Sequence, residues 1–430
     1  MNPMHLTLAF AAALLLSLAT RLWLATRQMR HVAQHRHEVP AAFAGTVTLQ
    51  AHQRAADYTL AKGRFGLWTT ALSSAVLLGW TLLGGLDALN TLVLESVLPR
   101  WGALPYQLVL LCAVTLIGAL IEMPLEWIST FRIEQRFGFN RMSLTLWLAD
   151  QAKGALVGAV IGLPLAALVL WLMGVSGGLW WLWAWGALVA FNLLLMVVYP
   201  TLIAPLFNKF VPLADESLKA RVQALMQRCG FAAKGLFVMD GSRRSAHANA
   251  YFTGLGAAKR VVFFDTLLQR LTPGEVEAVL AHELGHFKHK HVLQRLLGIF
   301  AMSLAGLALL GWLARQSGFY AGLGVSPNMS APNDALALLL FMMVLPSFTF
   351  FVSPLFAHFS RQHEFQADAY ACAQADGRDL AGALLKLHED NAATLTPDPV
   401  YVRFYYSHPP ASERLAALPS LTQSAAVNPA

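Results

Sequence analysis

Two histidines four residues apart, with a glutamate directly after the first, are the residues in this chain best suited to chemistry: His282-Glu283-Leu284-Gly285-His286. On a helix that spacing sets both rings on one face, where they can bind a single metal ion, and the pattern is that of a zinc hydrolase. Well downstream, Glu364 in Arg361-Gln362-His363-Glu364-Phe365-Gln366-Ala367-Asp368 could supply a third protein ligand. Three ligands and one open position describe catalytic zinc. Neutral His282 and His286 with anionic Glu364 would hold one Zn²⁺ per chain. Glu283 is then the candidate base that takes a proton from the attacking water and passes one to the leaving amine. Peptide bonds fit this chemistry, and so do esters and other amides, because zinc and a glutamate do not choose among acyl leaving groups.

The neighbours of these residues carry two readings each. Gly285 either allows close approach of another backbone or substrate, or is a helix-packing position, at a helix cost of up to about 1 kcal/mol relative to alanine. His289 and His291 invite a second-metal hypothesis, but standing among Lys288 and Lys290 they read better as a solvated basic helix end. Asp368, one turn after Glu364, could accept the second-ring proton of a zinc histidine and fix its orientation; otherwise it is a surface or salt-bridge aspartate.

The elements that must position this site are mostly apolar. With 56% hydrophobic and 13% charged residues in 430, the composition points to a membrane protein. Apolar runs near 6–26, 66–86, 104–124, 154–174, 180–200, 293–314 and 335–356 each approach the roughly 20 residues needed to cross hydrocarbon, which predicts seven spans. The first lacks a charged start and a cleavage pattern, so it reads as an uncleaved span. Arg27, Arg30, Arg36, Arg54, Lys62 and Arg64 follow span one, and Arg132, Arg136, Arg141 and Lys153 follow span three; the opposite connections hold little beyond Arg100 and Arg315. The positive-inside bias therefore places the N-terminus outside and the motif-bearing segments in the cytoplasm. The net charge of +7 can face anionic lipid headgroups and needs no nucleic-acid partner. Cys112, Cys229 and Cys372 have neither disulfide nor paired-ligand spacing, and Cys112 reads as a small apolar residue inside a span.

Five organisational units follow. Residues 1–200 form a membrane region with five spans and cytoplasmic loops, and 201–292 form the first part of a catalytic domain. Residues 293–356 hold spans six and seven, 357–421 complete the catalytic domain, and 422–430 are a frayed tail. In the first catalytic part, 215–229 has helical spacing, while 236–239, 261–264 and 248–252 read as short strands. Thr272-Pro273-Gly274-Glu275 is a helix start with a capping box, opening a motif helix over 273–291 or beyond that runs into span six. After span seven, helices are expected over 357–376 and 380–392.

Beyond the zinc motif, several stretches occur in a telling order: Ile133-Glu134-Gln135-Arg136-Phe137-Gly138-Phe139-Asn140; Tyr199-Pro200 through Pro205-Leu206-Phe207-Asn208-Lys209-Phe210; His247-Ala248-Asn249-Ala250-Tyr251-Phe252; Val261 through Leu268; and Ser407-His408-Pro409-Pro410 with Glu413-Arg414-Leu415. With these, the chain resembles the Ste24 family of integral-membrane zinc metalloproteases, the type I CAAX prenyl endopeptidases, over most of its length. The resemblance implies an all-α polytopic membrane protein whose seven transmembrane helices enclose a water-filled chamber. A cytoplasmic gluzincin-like metalloprotease domain with a small β-sheet would close that chamber. It further implies that His282, His286 and Glu364 ligate zinc and that Glu283 activates water. Asn249 with the Ala248 to Ala250 backbone would line the cleft, where substrate adds as an edge strand. His408 would stabilise the oxyanion, although alone it could equally cap a loop before Pro409. Arg414 would support that arm, or else lie at the surface. The implied partners are a peptide or protein substrate, prenylated near its C-terminus, and membrane lipids, with no nucleic acid. A composition heavy in Ala, Leu and Arg, and a C-terminus without a basic retrieval signal, read as a bacterial inner-membrane protein. In a host without prenylated proteins, a broad quality-control protease like the related HtpX group is the alternative enzyme. A catalytically silent membrane scaffold or transporter is the alternative outside enzymes.

Overall fold

Where bilayer rather than water surrounds the chain, every backbone N–H and C=O must be satisfied within the segment, so apolar stretches become long helices. The computed structural model describes residues 1–232, 235–253 and 260–418, and the tail expected over 422–430 lies outside these. Helix α1 (Pro3–Gln34) starts on the Asn2 side chain, and α2 (Leu49–Trp80) on Thr48. Next come α3 (Gly85–Trp101) and α4 (Ala103–Ile128), the latter extended by a π-helical turn over Ser129–Glu134. Helix α5 (Leu144–Val175) is capped by Ser143, and α6 (Trp180–Val198) runs through a second π-helical turn into α7 (Ala204–Phe207).

The soluble part then begins. Strand β1 (Phe210–Pro212) precedes α8 (Glu216–Arg228), then β2 (Leu236–Met239), β3 (Ala250–Thr253) and β4 (Arg260–Phe264). Helices α9 (Asp265–Arg270) and α10 (Pro273–Lys288) follow. The chain re-enters the apolar layer with α11 (His291–Leu313), turns through α12 (Ser317–Ala321), and returns as α13 (Asp334–Thr349). A 3₁₀ turn over Phe350–Val352 joins α13 to α14 (Ser353–Gln374), so the returning span continues without a loop into the catalytic part. Helices α15 (Gly377–Asp390), α16 (Pro399–Tyr405) and α17 (Ala411–Ala417) complete it.

Among the described residues, six helical segments are long and apolar enough to cross a membrane, and α2 with α3 makes a seventh span only as a pair bent by 50°. The expected run 66–86 therefore spans a break instead of a continuous helix. Gly84 stands at φ +77°, and a Cβ on Gly85 would lie 2.5 Å from the Gly79 carbonyl oxygen, so this corner needs its two glycines. Phe10 and Leu14 of α1, Leu110 of α4, Leu170 of α5, Leu310 of α11 and Leu336 and Leu340 of α13 pack in one cluster. Pro3 lies against Gly322 at one end of this assembly. At the other end of α1, Arg27 bonds to Asp398 at 2.9 Å. The N-terminus and the catalytic part thus lie at opposite ends of α1.

The sheet has the order β1-β2-β4-β3, with β2 and β4 parallel and the outer pairs antiparallel, leaving β3 on an edge. The strands expected at 236–239 and 261–264 form as read; the one expected at 248–252 forms two residues later. Val222 and Leu225 of α8, Val261 and Phe263 of β4, Leu280 and Leu284 of α10 and Leu380 and Ala383 of α15 share a second core. Thr272 and Glu275 make the expected capping box, and Glu275 also receives Lys386 of α15 at 2.7 Å.

Helix α10 is shorter than expected. It ends before Lys290, which takes a left-handed conformation at φ 58°, and α11 starts afresh at His291. At Gly285 close approach of another backbone and helix packing prove to be one contact: a Cβ there would lie 2.9 Å from Ala367 Cα and 3.1 Å from its carbonyl oxygen, so α10 and α14 meet backbone to backbone. Gly285→Ala should gain up to about 1 kcal/mol in helix propensity but lose about 1–3 kcal/mol to overpacking. The net outcome is a lower thermal midpoint and weaker metal retention, and Gly285→Val should show both more strongly; thermal unfolding in detergent and bound-metal analysis check this.

Candidate metal centre

The contact at Gly285 brings α14 beneath the face of α10 that carries both histidines. His282 Nε2 and His286 Nε2 lie 3.2 Å apart, and Glu364 carboxylate oxygens stand 3.5 Å from the first and 3.3 Å from the second. Ligand atoms of all three residues lie within 4.8 Å of one another. A tetrahedral ion with Zn–N bonds of about 2.0–2.1 Å needs nitrogen separations of this size.

Whether these residues fit a cation can be judged from their protons and charges. His282 Nδ1 donates to Asp368 Oδ1 at 2.8 Å, which leaves a lone pair on Nε2 in the neutral ring. Glu364 is 3% exposed, and its Oε2 accepts no hydrogen bond although His408 Nδ1 stands 2.8 Å away. Asp368 is buried as well, and the guanidinium of Arg414 grips it through Nε at 2.8 Å and Nη2 at 2.5 Å. With His282 neutral, as a metal-binding ring must be, two buried carboxylates face one buried guanidinium, so a cation is needed to take the place of the His282 proton. A divalent metal ion answers both the lone pairs and the charge.

Electrostatics bind the cluster tightly. Burial presses the pKa of His282 down, but the bond to Asp368 and the approach of Glu364 outweigh it and hold it up at about 9. Burial also disfavours the Arg414 cation, yet the bond to Asp368 raises its pKa further. Its Nη1 reaches to 3.8 Å from Glu364, so the guanidinium spans both carboxylates. Arg414 is 8% exposed, which removes the surface reading for this residue.

Glu283, on the same helix, is half-buried and its carboxylate enters no hydrogen bond or ion pair among the described residues; Arg414 is its electrostatic neighbour. His408 lies next to Glu364 with 66% of its side chain exposed. Arg361, one turn before Glu364, donates to the carbonyls of Val402 and Tyr406 at 3.2 and 2.8 Å and so fixes the chain leading to His408. Ala248 to Ala250 lead into edge strand β3, which packs on α10. Asn249 is exposed, and its side chain accepts from Ala250 N at 2.8 Å without touching the His–His–Glu group.

One residue expected at a solvated helix end belongs here instead. His291 is 4% exposed, and its Nδ1 shares a hydrogen bond of 3.0 Å with His286 Nδ1 while Nε2 meets Gln366 Oε1 at 2.8 Å. The left-handed turn at Lys290 folds His291 back toward His286, and helical spacing gave no signal of it. His289 remains exposed, as expected. A second group overlooked in the sequence ties the sheet edge to the membrane helices. Tyr58 donates to Glu134 at 2.6 Å, His247 lies 3.6 Å from the same carboxylate, and Asn140 forms a β-bridge with Ser245.

Comparison with known proteins agrees with this arrangement. The family description "CAAX prenyl protease N-terminal, five membrane helices" matches residues 28–209, and "Peptidase family M48" matches residues 212–422. The CAAX prenyl protease 1 homolog of Arabidopsis thaliana is 33% identical over 88% of this chain and 90% of that protein. CAAX prenyl protease 1 of Saccharomyces cerevisiae is 31% identical over 92% and 91%, and the Homo sapiens homolog 30% over 96% of each. The crystal structure of S. mikatae Ste24p matches with a TM-score of 0.88 and 29% identity, covering 96% of this chain and 98% of that one. These matches favour the peptidase over a scaffold or transporter. On identity carried across nearly its whole length, the chain belongs to the Ste24, or CAAX prenyl protease 1, family of M48 peptidases and is a multi-pass integral-membrane metalloendopeptidase.

Proposed function

We propose that this chain holds zinc through His282, His286 and Glu364 and hydrolyses peptide bonds near the C-terminus of prenylated CAAX proteins. The convergence of three lone-pair donors, His282, His286 and Glu364, carries the reading. Zinc, when bound, supplies a Lewis acid that polarises the scissile carbonyl and eases deprotonation of water. Glu283 accepts the proton of the attacking water on its carboxylate and returns it to the leaving amine, a role suited to a half-buried carboxylate without a partner of its own. His408 offers its exposed ring to the developing oxyanion. Asp368 keeps His282 in the tautomer that leaves Nε2 bare, and Arg414 holds Asp368 in place. An extended substrate adds along the outer edge of β3, with Asn249, whose side chain accepts from Ala250 N, lining the cleft at the start of that strand.

The prenyl-protein substrate is supported by the names of the relatives, which are CAAX prenyl proteases over nearly their full lengths. Arg27, Arg54, Lys62, Arg136 and Lys153 flank the spans on the catalytic side, which supports a cytoplasmic catalytic part and an N-terminus across the membrane. In a bacterial inner membrane the N-terminus is then periplasmic. The catalytic domain is read as two pieces, 201–292 and 357–421, joined through the α11–α13 hairpin.

Three outcomes test this. Glu283→Gln should retain zinc while hydrolysis falls on the order of 10²–10⁴-fold, whereas Glu364→Ala should lose the metal; equal metal loss in both would overturn the assigned roles. Purified enzyme should cleave a farnesylated CAAX peptide and spare its unprenylated twin, with E283Q as blank; equal cleavage of both would point to the broad quality-control protease. Because His282 is held at about 9, it is an imidazolium in the metal-stripped protein at neutral pH, and zinc uptake must displace that proton. Calorimetry in buffers of different ionisation enthalpy should therefore register proton release at neutral pH that disappears above that pKa, with affinity weakening as the pH falls.

A further inference from the structure

Each of the two histidines facing Glu364 has a second nitrogen, and the structure treats the two differently. His282 Nδ1 meets a carboxylate, Asp368, at 2.8 Å. His286 Nδ1 meets another imidazole, His291, at 3.0 Å, and that imidazole meets an amide oxygen, Gln366 Oε1, at 2.8 Å. We infer that His291 and Gln366 form an uncharged relay that fixes the tautomer and ring orientation of His286, making both of them positioning residues for the metal centre. The inference rests on the zinc reading of His286 and deepens it.

The proton count has one consistent solution for a metal-binding His286. Gln366 Oε1 can only accept, so His291 Nε2 carries the hydrogen; neutral His291 then has a bare Nδ1, which accepts from His286 Nδ1–H. His286 Nε2 is left with the lone pair that faces His282 and Glu364. Reversing the Gln366 amide reverses every bond in the series and protonates Nε2, which cannot then bind a metal. One amide orientation thus decides whether the ligand is competent.

Independent features hold the relay together. Lys290 adopts a left-handed conformation, which for a non-glycine residue is strained and persists only where the surroundings enforce it. This is the residue that turns the chain so that His291 comes back to His286. The His291 ring is 4% exposed and stacks on His363 with centroids 4.0 Å apart and planes within 7°. Gln366 sits two residues after Glu364 on α14, so the helix that brings the carboxylate to the site also brings the end of the relay. Ligand and relay arrive together.

The test compares shape with hydrogen bonding in the full-length detergent-solubilised protein. His291→Phe keeps the stacked ring and removes the acceptor; His291→Asn restores an acceptor near the position of Nδ1. Gln366 is exposed, so Gln366→Leu removes the amide without disturbing a core, and Gln366→Glu keeps an acceptor. Zinc Kd from chelator competition should rise about 10- to 100-fold in H291F and Q366L, as is usual when a ligand's outer partner is lost, and stay within a few-fold of wild type in H291N and Q366E. The visible spectrum of the cobalt-loaded protein should change in H291F and Q366L and be restored in H291N and Q366E, a response that a purely structural ring would not give. Unchanged affinity and spectrum in H291F and Q366L would overturn the relay, and so would H291N and Q366E falling as far as their apolar counterparts. Glu364→Ala separates the two claims: metal loss there with no loss in H291F removes the relay alone, whereas wild-type affinity in Glu364→Ala removes the zinc reading beneath it.

Discussion

The backbone contact between Gly285 and Ala367 is the constraint on which the rest of this structure depends. Any side chain at position 285 would separate α10 from α14, and Glu364, Gln366 and Asp368 all ride on α14. Because these residues serve different atoms of the two histidines, a displacement of one helix against the other would disturb every bond in the cluster at once. Close-packed interiors give way in this concerted manner, since a neighbour relaxes only partly around an added methyl. One absent Cβ therefore sets the geometry of two imidazoles.

Charge imposes the second requirement. Arg414 comes from α17, near the C-terminal end of the described chain, and closes over Asp368 and Glu364. Without that guanidinium, Asp368 and Glu364 would be left to the histidines alone, and a buried carboxylate that loses one partner of its pair is costly. The cluster joins α10, α14 and α17, and Asp398 at the start of α16 binds Arg27 and Gln28 of α1. Arg244 similarly binds Asp150 of α5 at 2.8 Å. Soluble and membrane parts are thus fastened by charged contacts as well as by chain continuity.

Much of the site was readable in advance because its chemistry lies in local patterns. The four-residue histidine spacing, the capping box at Thr272 and the carboxylate about three turns into α14 each depend on one helix, and helical periodicity reports such relations. Asp368 could be proposed from its distance in sequence to Glu364. His291 could not, because its approach to His286 depends on a left-handed backbone at Lys290, a lysine that gives no outward sign of unusual geometry. The bend between α2 and α3 escaped for the opposite reason: two glycines amid apolar residues look like an ordinary packing feature of a span. Glu134, Tyr58 and His247 come from three remote segments, and no local pattern links them. The resemblance drew attention to the wording around Glu134 without giving its partners.

The junction between α13 and α14 has a consequence for biogenesis. Glu364 lies on a helix that continues, with only a 3₁₀ turn between, from a segment that must first cross the bilayer and return. The histidines are synthesised before that hairpin and the carboxylate after it. Until both arms are threaded, the nascent chain has two of the three side chains of the candidate centre and lacks the Arg414 guanidinium that pairs with Asp368. A chain in which only one arm of the hairpin crossed would strand the two halves of the cluster on opposite faces. Assembly of the His282–His286–Glu364 cluster therefore has to follow the crossing and return of the α11–α13 hairpin.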